Sequence, residues 1–282
     1  MPGYGSPTIR RRELGARLRE LRNRRNWTVE QVAESLECSP SKVSRLENGF
    51  RGVSARDIRQ LCDLYEVADE LRQQLVDLAA EGKQRVWWQS RDLPYSTYRG
   101  LEAEAASIRD FGLGVVPGLL QTEDYARAVL TSTHPPLEPR AVEQRLAARM
   151  ERQDLLTSAS PPDFEAVIDE AVLHRVAGSR AIMNDQLRHL VTASERPNVR
   201  IWVVPYEAGL LPFPVGKFII LTFREPAVPG VVFIEGLAGD TYLGPADGLA
   251  DYEAAFTAMK AMAASEQASR QMIDHMAAAQ KV

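Results

Sequence analysis

Residues Cys38 to Gly49 read CSPSKVSRLENG. The stretch predicts one short helix. Ser39 is a good N-cap, Pro40 suits the first turn, and Gly49 sits where a left-handed terminator is expected. Val43 and Leu46 share one side. Ser41, Lys42, Ser44 and Arg45 take the other. That outward face is made of hydroxyls and cations, not of the Glu/Lys mixture usual on a solvated helix.

Working outward, Thr28 is a second N-cap, with Gln31 three residues later, a capping-box spacing. Val32 and Leu36 follow on one face, and Ala33 is small where a neighbouring helix would approach. Helices 28–36 and 39–48 are thus joined by the turn Glu37-Cys38-Ser39, whose last residue caps the second helix. This is a helix-turn-helix pattern, whose second helix enters the DNA major groove. Arg can bond guanine O6 and N7 as a bidentate pair, Lys can act similarly, and Ser can bond several bases. An acid there would be repelled by phosphate. Glu47 lies beyond that face and is expected to pair with an arginine of the first helix.

The rest of the N-terminal region is also helical. Residues 1–8 read as a loose tail. Leu14, Leu18 and Leu21 mark a first helix. Ser54 caps a fourth, carrying Ile58, Leu61, Leu64 and Tyr65, and Leu71, Leu75 and Leu78 mark a fifth. Residues 9–81 therefore form an all-α, five-helix DNA-binding domain. Residues 82–99 are a linker or a packing segment, with Trp87, Trp88, Tyr95 and Tyr98 suggesting contact with something. Residues 100–282 read as a mixed α/β domain with a small sheet, which makes the chain α+β overall. LEAEAASIRDF and TEDYARAVLTS look helical. FEAVID, NVRIWVVP, GKFIILTFRE, GVVFIEG and DTYLG read as strands, and the end from Ala246 is helical.

The bulk numbers agree with two domains. The chain has 282 residues, 45% apolar and 26% charged. It contains no apolar run near the length of a membrane span, so no membrane partner is expected. The start has basic residues but no apolar stretch of a secretory signal. Cys38 and Cys62 fall at apolar-periodic positions and read as buried free thiols, which points to the cytoplasm. Net charge is −4, but unevenly placed. Residues 1–60 hold 13 Lys/Arg against 7 Asp/Glu, and the remainder holds 21 against 31. A basic head on an acidic body is expected when one end meets phosphate.

Residues 10–67, and SRLENG above all, resemble the Xre-type, phage-repressor-like helix-turn-helix family. The resemblance covers about a fifth of the chain. It implies that Ser39, Ser41 and Arg45 face bases, with Lys42 beside them and Ser44 on the same face. It places Thr28, Val29 and Asn48 against phosphate, and Arg51 joins that set. Two positions depart from the family. Glu37 stands where glycine is common at the turn, at a cost under ~1 kcal/mol. Val29 stands where a phosphate-touching glutamine is common. Residues 100–275, through VVPGLLQTEDYARAVL, FEAVIDEAVLHRVAGS and PNVRIWVVPYEAG, resemble the C-terminal domain of unknown function in an actinomycete group of antitoxin-like Xre regulators. That implies regulation of development or antibiotic production, often with a small protein encoded by an adjacent gene. The group's proline near the last helix break is missing around MAASEQAS, so the final helix is expected to run on.

Other motifs are weaker. GLGVVPG lacks a strand–turn–helix context, and Pro117 interrupts it, so it is no nucleotide loop. His174 and His189 have no partner at ligand spacing, so no metal or other cofactor is expected. Asp169 and Glu170 suit a helix start. Glu235 could pair with Arg200 or Arg224. The apolar strands are few, and their edges are expected to need a neighbour. The expected function is therefore sequence-specific DNA binding by a homodimer whose body binds a partner protein or a small-molecule effector, without catalysis. The alternative is an enzyme acting on a nucleotide or metabolite and merely targeted to DNA.

Overall fold

The computed structural model describes residues 7–49, 53–83, 96–211, 216–236 and 239–279. The chain divides into two compact units, one of residues 1–104 with 223–229 and one of residues 105–222 with 230–282. Trp87, Trp88 and Tyr95 lie outside the described residues.

The first unit contains α1 (Pro7–Arg24), α2 (Val29–Ser35), α3 (Pro40–Glu47), α4 (Ala55–Leu64), α5 (Asp69–Glu81) and α6 (Ser96–Glu102). Its core joins Leu14 and Leu18 of α1, Val32 and Ala33 of α2, and Val43 and Leu46 of α3. Ile58 and Leu61 of α4 and Leu75 of α5 complete it. Each of the Leu, Val and Ile side chains contributes about 1.5–3 kcal/mol by leaving water. Cys62 is buried and Cys38 half-buried, and both are free thiols.

The helix ends follow local chemistry. The capping boxes Thr28–Gln31 and Ser54–Asp57 are formed, and Ser39 accepts from the Lys42 amide. α2 stops through a left-handed residue at Glu37, φ 50°. The amides of Glu37 and Cys38 there donate back to Glu34 and Ala33 at 3.0 and 2.8 Å. Two glycines set the approach of α1 and α3. A Cβ on Gly15 would lie 2.5 Å from the Glu47 carbonyl oxygen, so the two backbones touch. Gly49, at φ 71°, lies as closely against the Arg12 backbone.

The second unit is built on a six-stranded mixed sheet. Its strands are β1 (Ala105–Gly112), β2 (Asp163–Asp169), β3 (Val199–Val204), β4 (Phe218–Phe223), β5 (Val231–Ile234) and β6 (Thr241–Leu243). The order is β3-β2-β1-β4-β5-β6. The first three strands run parallel, and β4, β5 and β6 pair antiparallel in succession. Helices α7 (Glu123–Thr131), α8 (Pro139–Gln153), α9 (Ala171–His174) and α10 (Arg180–Ala193) fill the connections β1–β2 and β2–β3, and α11 (Leu249–Met262) and α12 (Glu266–Ala279) close the chain. One sheet face packs Phe111, Val167, Trp202, Phe218, Ile220 and Val232 against Phe256 and Met259 of α11.

Three expectations are corrected here. The helix expected over LEAEAASIRDF covers only its first residues, because Ala105–Gly112 is strand β1. β1 lies inside the sheet between β2 and β4. The last helix does not run on: Ala263 is extended, with φ −73° and ψ 155°, and α12 starts afresh at Glu266. That break serves the third point, the sheet edge. The Ala264 amide donates to the Val203 carbonyl at 2.9 Å. The Ser269 hydroxyl accepts from the Val203 amide at 2.9 Å and donates to the Ala264 carbonyl. The outer side of β3 at Val203 is thus closed by the chain itself and needs no neighbour.

The stretch VVPGLLQTEDYA holds a 3-10 turn at Gly118–Leu120. Fully buried Gln186 fixes it by accepting from the Thr122 amide and donating to the Leu120 carbonyl, both at 2.7 Å. Thr122 then caps α7.

Candidate nucleic-acid interface

α3 is eight residues long, and its orientation rests on its buried side. Val43, Leu46 and Glu47 are buried, while Ser39, Ser41 and Arg45 are exposed and Lys42, Ser44 and Asn48 half-buried. Glu47 does pair with the first helix. Its carboxylate accepts from Nε and Nη2 of Arg22 at 2.6 and 2.9 Å, and from Nε of Arg19 at 3.4 Å. The hydrogen bond to Glu47 raises the Arg22 pKa against the opposing effect of burial. Burial first, then the Glu47 charge, pushes the nearby Tyr65 hydroxyl up.

The C-terminus of α3 is held as firmly. Buried Arg12 donates from Nη1 to the Asn48 carbonyl at 3.3 Å, a cation at the negative end of a helix. Desolvation, with repulsion from Arg19, brings the Arg12 pKa down to about 10, so it stays charged at neutral pH. Asn48 is braced on both sides of its amide. Its oxygen accepts from Nη2 of Arg19 at 2.6 Å and its nitrogen donates to the Ser44 hydroxyl at 3.4 Å.

The outward residues differ in what they leave available. Arg45 is exposed, and its Nε donates to the Ser41 carbonyl at 3.1 Å, which lays the side chain back over the first turn of α3. Ser41 stands exposed beside it. The hydroxyls of Ser39 and Thr28 accept from the amides of Lys42 and Gln31 at 3.2 Å each; each keeps its own proton to donate. Val29 turns its side chain to the core, so a phosphate at that point would meet the helix amides. Lys42 is held differently, with Nζ 3.0 Å from the Asp57 carboxylate of α4. Arg51 lies outside the described residues.

The basic head is less available than its composition implies. Arg10 and Arg17 pair with Glu13, Arg24 with Glu20, and Arg25 with Glu66. Arg45, Arg56 and Arg59 remain exposed. Arg56 is a further candidate that the sequence reading did not name. It follows the cap Ser54 in the first turn of α4, and the Lys42–Asp57 bridge brings that turn beside α3. A cation next to a helix N-terminus suits phosphate. A capped helix start with an arginine two residues on was its sequence signal.

Several polar residues of the second unit are partnered with one another. Glu170 accepts from the Tyr206 amide at 2.7 Å and lies 3.2 Å from His174, whose ring stacks on Tyr206. Arg200 pairs with Glu165. Among the described residues no group of three or more His, Cys, Asp or Glu side chains could hold a metal, and no helix is long and apolar enough to cross a membrane.

Known families match the two parts of the chain separately. Residues 13–75 match a family described as a helix-turn-helix domain, and residues 95–275 match one described as a domain of unknown function, DUF5753. The HTH-type transcriptional regulator AnsR of Bacillus subtilis (strain 168) is 31% identical over 83 residues, which cover 28% of this chain and 72% of AnsR. With the second match spanning more than half of its length, the chain belongs to the DUF5753 family and carries a helix-turn-helix domain ahead of that module.

Proposed function

We propose that the protein is a sequence-specific DNA-binding transcriptional regulator of the Xre type, cytoplasmic and of the actinomycete antitoxin-like group. The observation that carries this is the face of α3: exposed Ser41 and Arg45 stand on a helix whose opposite side is locked by Val43, Leu46 and the Glu47–Arg22 pair. A fixed helix with an outward arginine is what base readout requires. In this reading Ser39, Ser41, Ser44 and Arg45 face bases, and Thr28, the α2 amide at Val29, Asn48 and Arg51 meet phosphate.

One helix this short reads about four base pairs, which is too few for selectivity, and two half-sites one helical turn apart supply the rest. The protein therefore acts as a homodimer through residues 100–282. That acidic body also binds a small partner protein from an adjacent gene, or a small-molecule effector, and is not a catalyst.

The test is Arg45→Ala. It should cost about 1–3 kcal/mol on a duplex selected by the wild-type protein and much less on random sequence. An equal loss on both would reassign Arg45 to phosphate. A light-scattering mass of one chain, both free and on DNA, would remove the dimer.

A further inference from the structure

We infer that Asp57 lowers the sequence-independent DNA affinity of the helical unit by withholding Lys42 from phosphate. The inference rests on the DNA-binding reading above and deepens it. Lys42 lies on the outward side of α3, between Ser41 and Val43. Its ammonium is nevertheless held 3.0 Å from Oδ1 of Asp57, with both side chains largely covered.

Asp57 is well placed to hold it. Its other oxygen accepts from the Ser54 hydroxyl at 2.6 Å and from the Ser54 amide at 3.2 Å, which orients the carboxylate toward α3. Burial alone would raise the Asp57 pKa, but the hydrogen bonds from Ser54 and Lys42 outweigh it and keep the carboxyl below its usual range. The bridge is therefore charged wherever the protein is folded near neutral pH.

The consequence for binding follows from the kind of cation involved. A lysine ammonium is a mobile point charge that takes any phosphate, whereas an arginine fork selects planar, bidentate partners. Phosphate contact supplies almost all sequence-independent affinity. With Lys42 neutralised, the outward cation left on α3 is Arg45, the one able to discriminate bases. Removing a contact that every sequence could use lowers affinity for all sequences about equally, so what Asp57 tunes is the sequence-independent share of binding. Asp57 is a positioning residue here, acting through Lys42.

The experiment uses the full chain and a mixed-sequence duplex titrated across salt concentrations. Asp57→Asn keeps an oxygen acceptor for the Ser54 amide but releases Lys42. The expected result is binding to the mixed duplex several-fold tighter at low salt, with a salt slope steeper by about one. The gain should vanish in Lys42→Ala/Asp57→Asn, while Lys42→Ala alone changes little. If Asp57→Asn unfolds the helical unit, Asp57→Ser provides the same comparison. An unchanged slope overturns the inference. A gain that survives loss of Lys42 also overturns it, because Asp57 would then act only by repelling phosphate. If the wild-type protein binds no duplex at all, the DNA reading itself falls, an outcome distinct from the other two.

Discussion

The Glu47 carboxylate grips Arg22 through two nitrogens, at 2.6 and 2.9 Å, and so ties the last turn of α3 to α1. Two groups 25 residues apart are thereby held in one geometry. The value of this pair lies in orientation, since a buried ion pair adds little net stability over an apolar one.

Breaking it from one side should be costly. Glu47→Ala leaves Arg22 and Arg19 facing a site with no carboxylate, and should destabilise the helical unit by about 3–5 kcal/mol. Arg22→Lys, which keeps the charge but loses the fork, should fall between that variant and the wild type. Chemical denaturation of the full chain, followed on the helical unit, reads both. Equal stability of Glu47→Ala and wild type would refute the argument.

Glu37 offers the opposite change. Its φ of 50° places an ordinary side chain in the left-handed region. Glu37→Gly should relieve strain on the order of 1 kcal/mol, less the entropy glycine carries in the unfolded chain. The expected outcome is a small rise in melting temperature with DNA affinity unchanged. A drop would mean that the Glu37 side chain has a role of its own.

Ser269 closes the β3 edge at Val203. Ser269→Ala leaves the buried Val203 amide without its acceptor and should cost about 1–3 kcal/mol. It should also expose an edge able to pair with other chains. Melting together with light scattering tests this, and an unshifted melting curve with an unchanged mass would count against it.

Much of the helical unit was legible because its determinants are local. Thr28 with Gln31, Ser39 with Pro40, and the left-handed stop at Glu37 all act within a few residues. The partner of Glu47 was legible too, because an acid beyond the reading face of α3 has arginines of α1 to meet. β1 was not legible. Ile108 and Phe111 are three apart, as on a helix, and an inner strand shows no strict alternation of buried and exposed residues. Lys42 was expected among the base readers because its neighbours are outward; Asp57, fifteen residues on, is what holds it aside. The closure of β3 was hidden for the same reason, since Val203 and Ser269 meet only once the sheet and α12 are both formed.

The contact of backbone with backbone at Gly15 carries a consequence for how the protein can change over time. The seat of α3 is made by main chain, by Val43 and Leu46, and by Glu47. None of these is an outward residue. Ser41 and Arg45 therefore carry no part of the seating, and exchanging them costs the fold little. On the proposed reading of α3, taste for a DNA sequence can drift by single substitutions at Ser41 and Arg45 while the socket stays the same, so new operators can be acquired without rebuilding the domain.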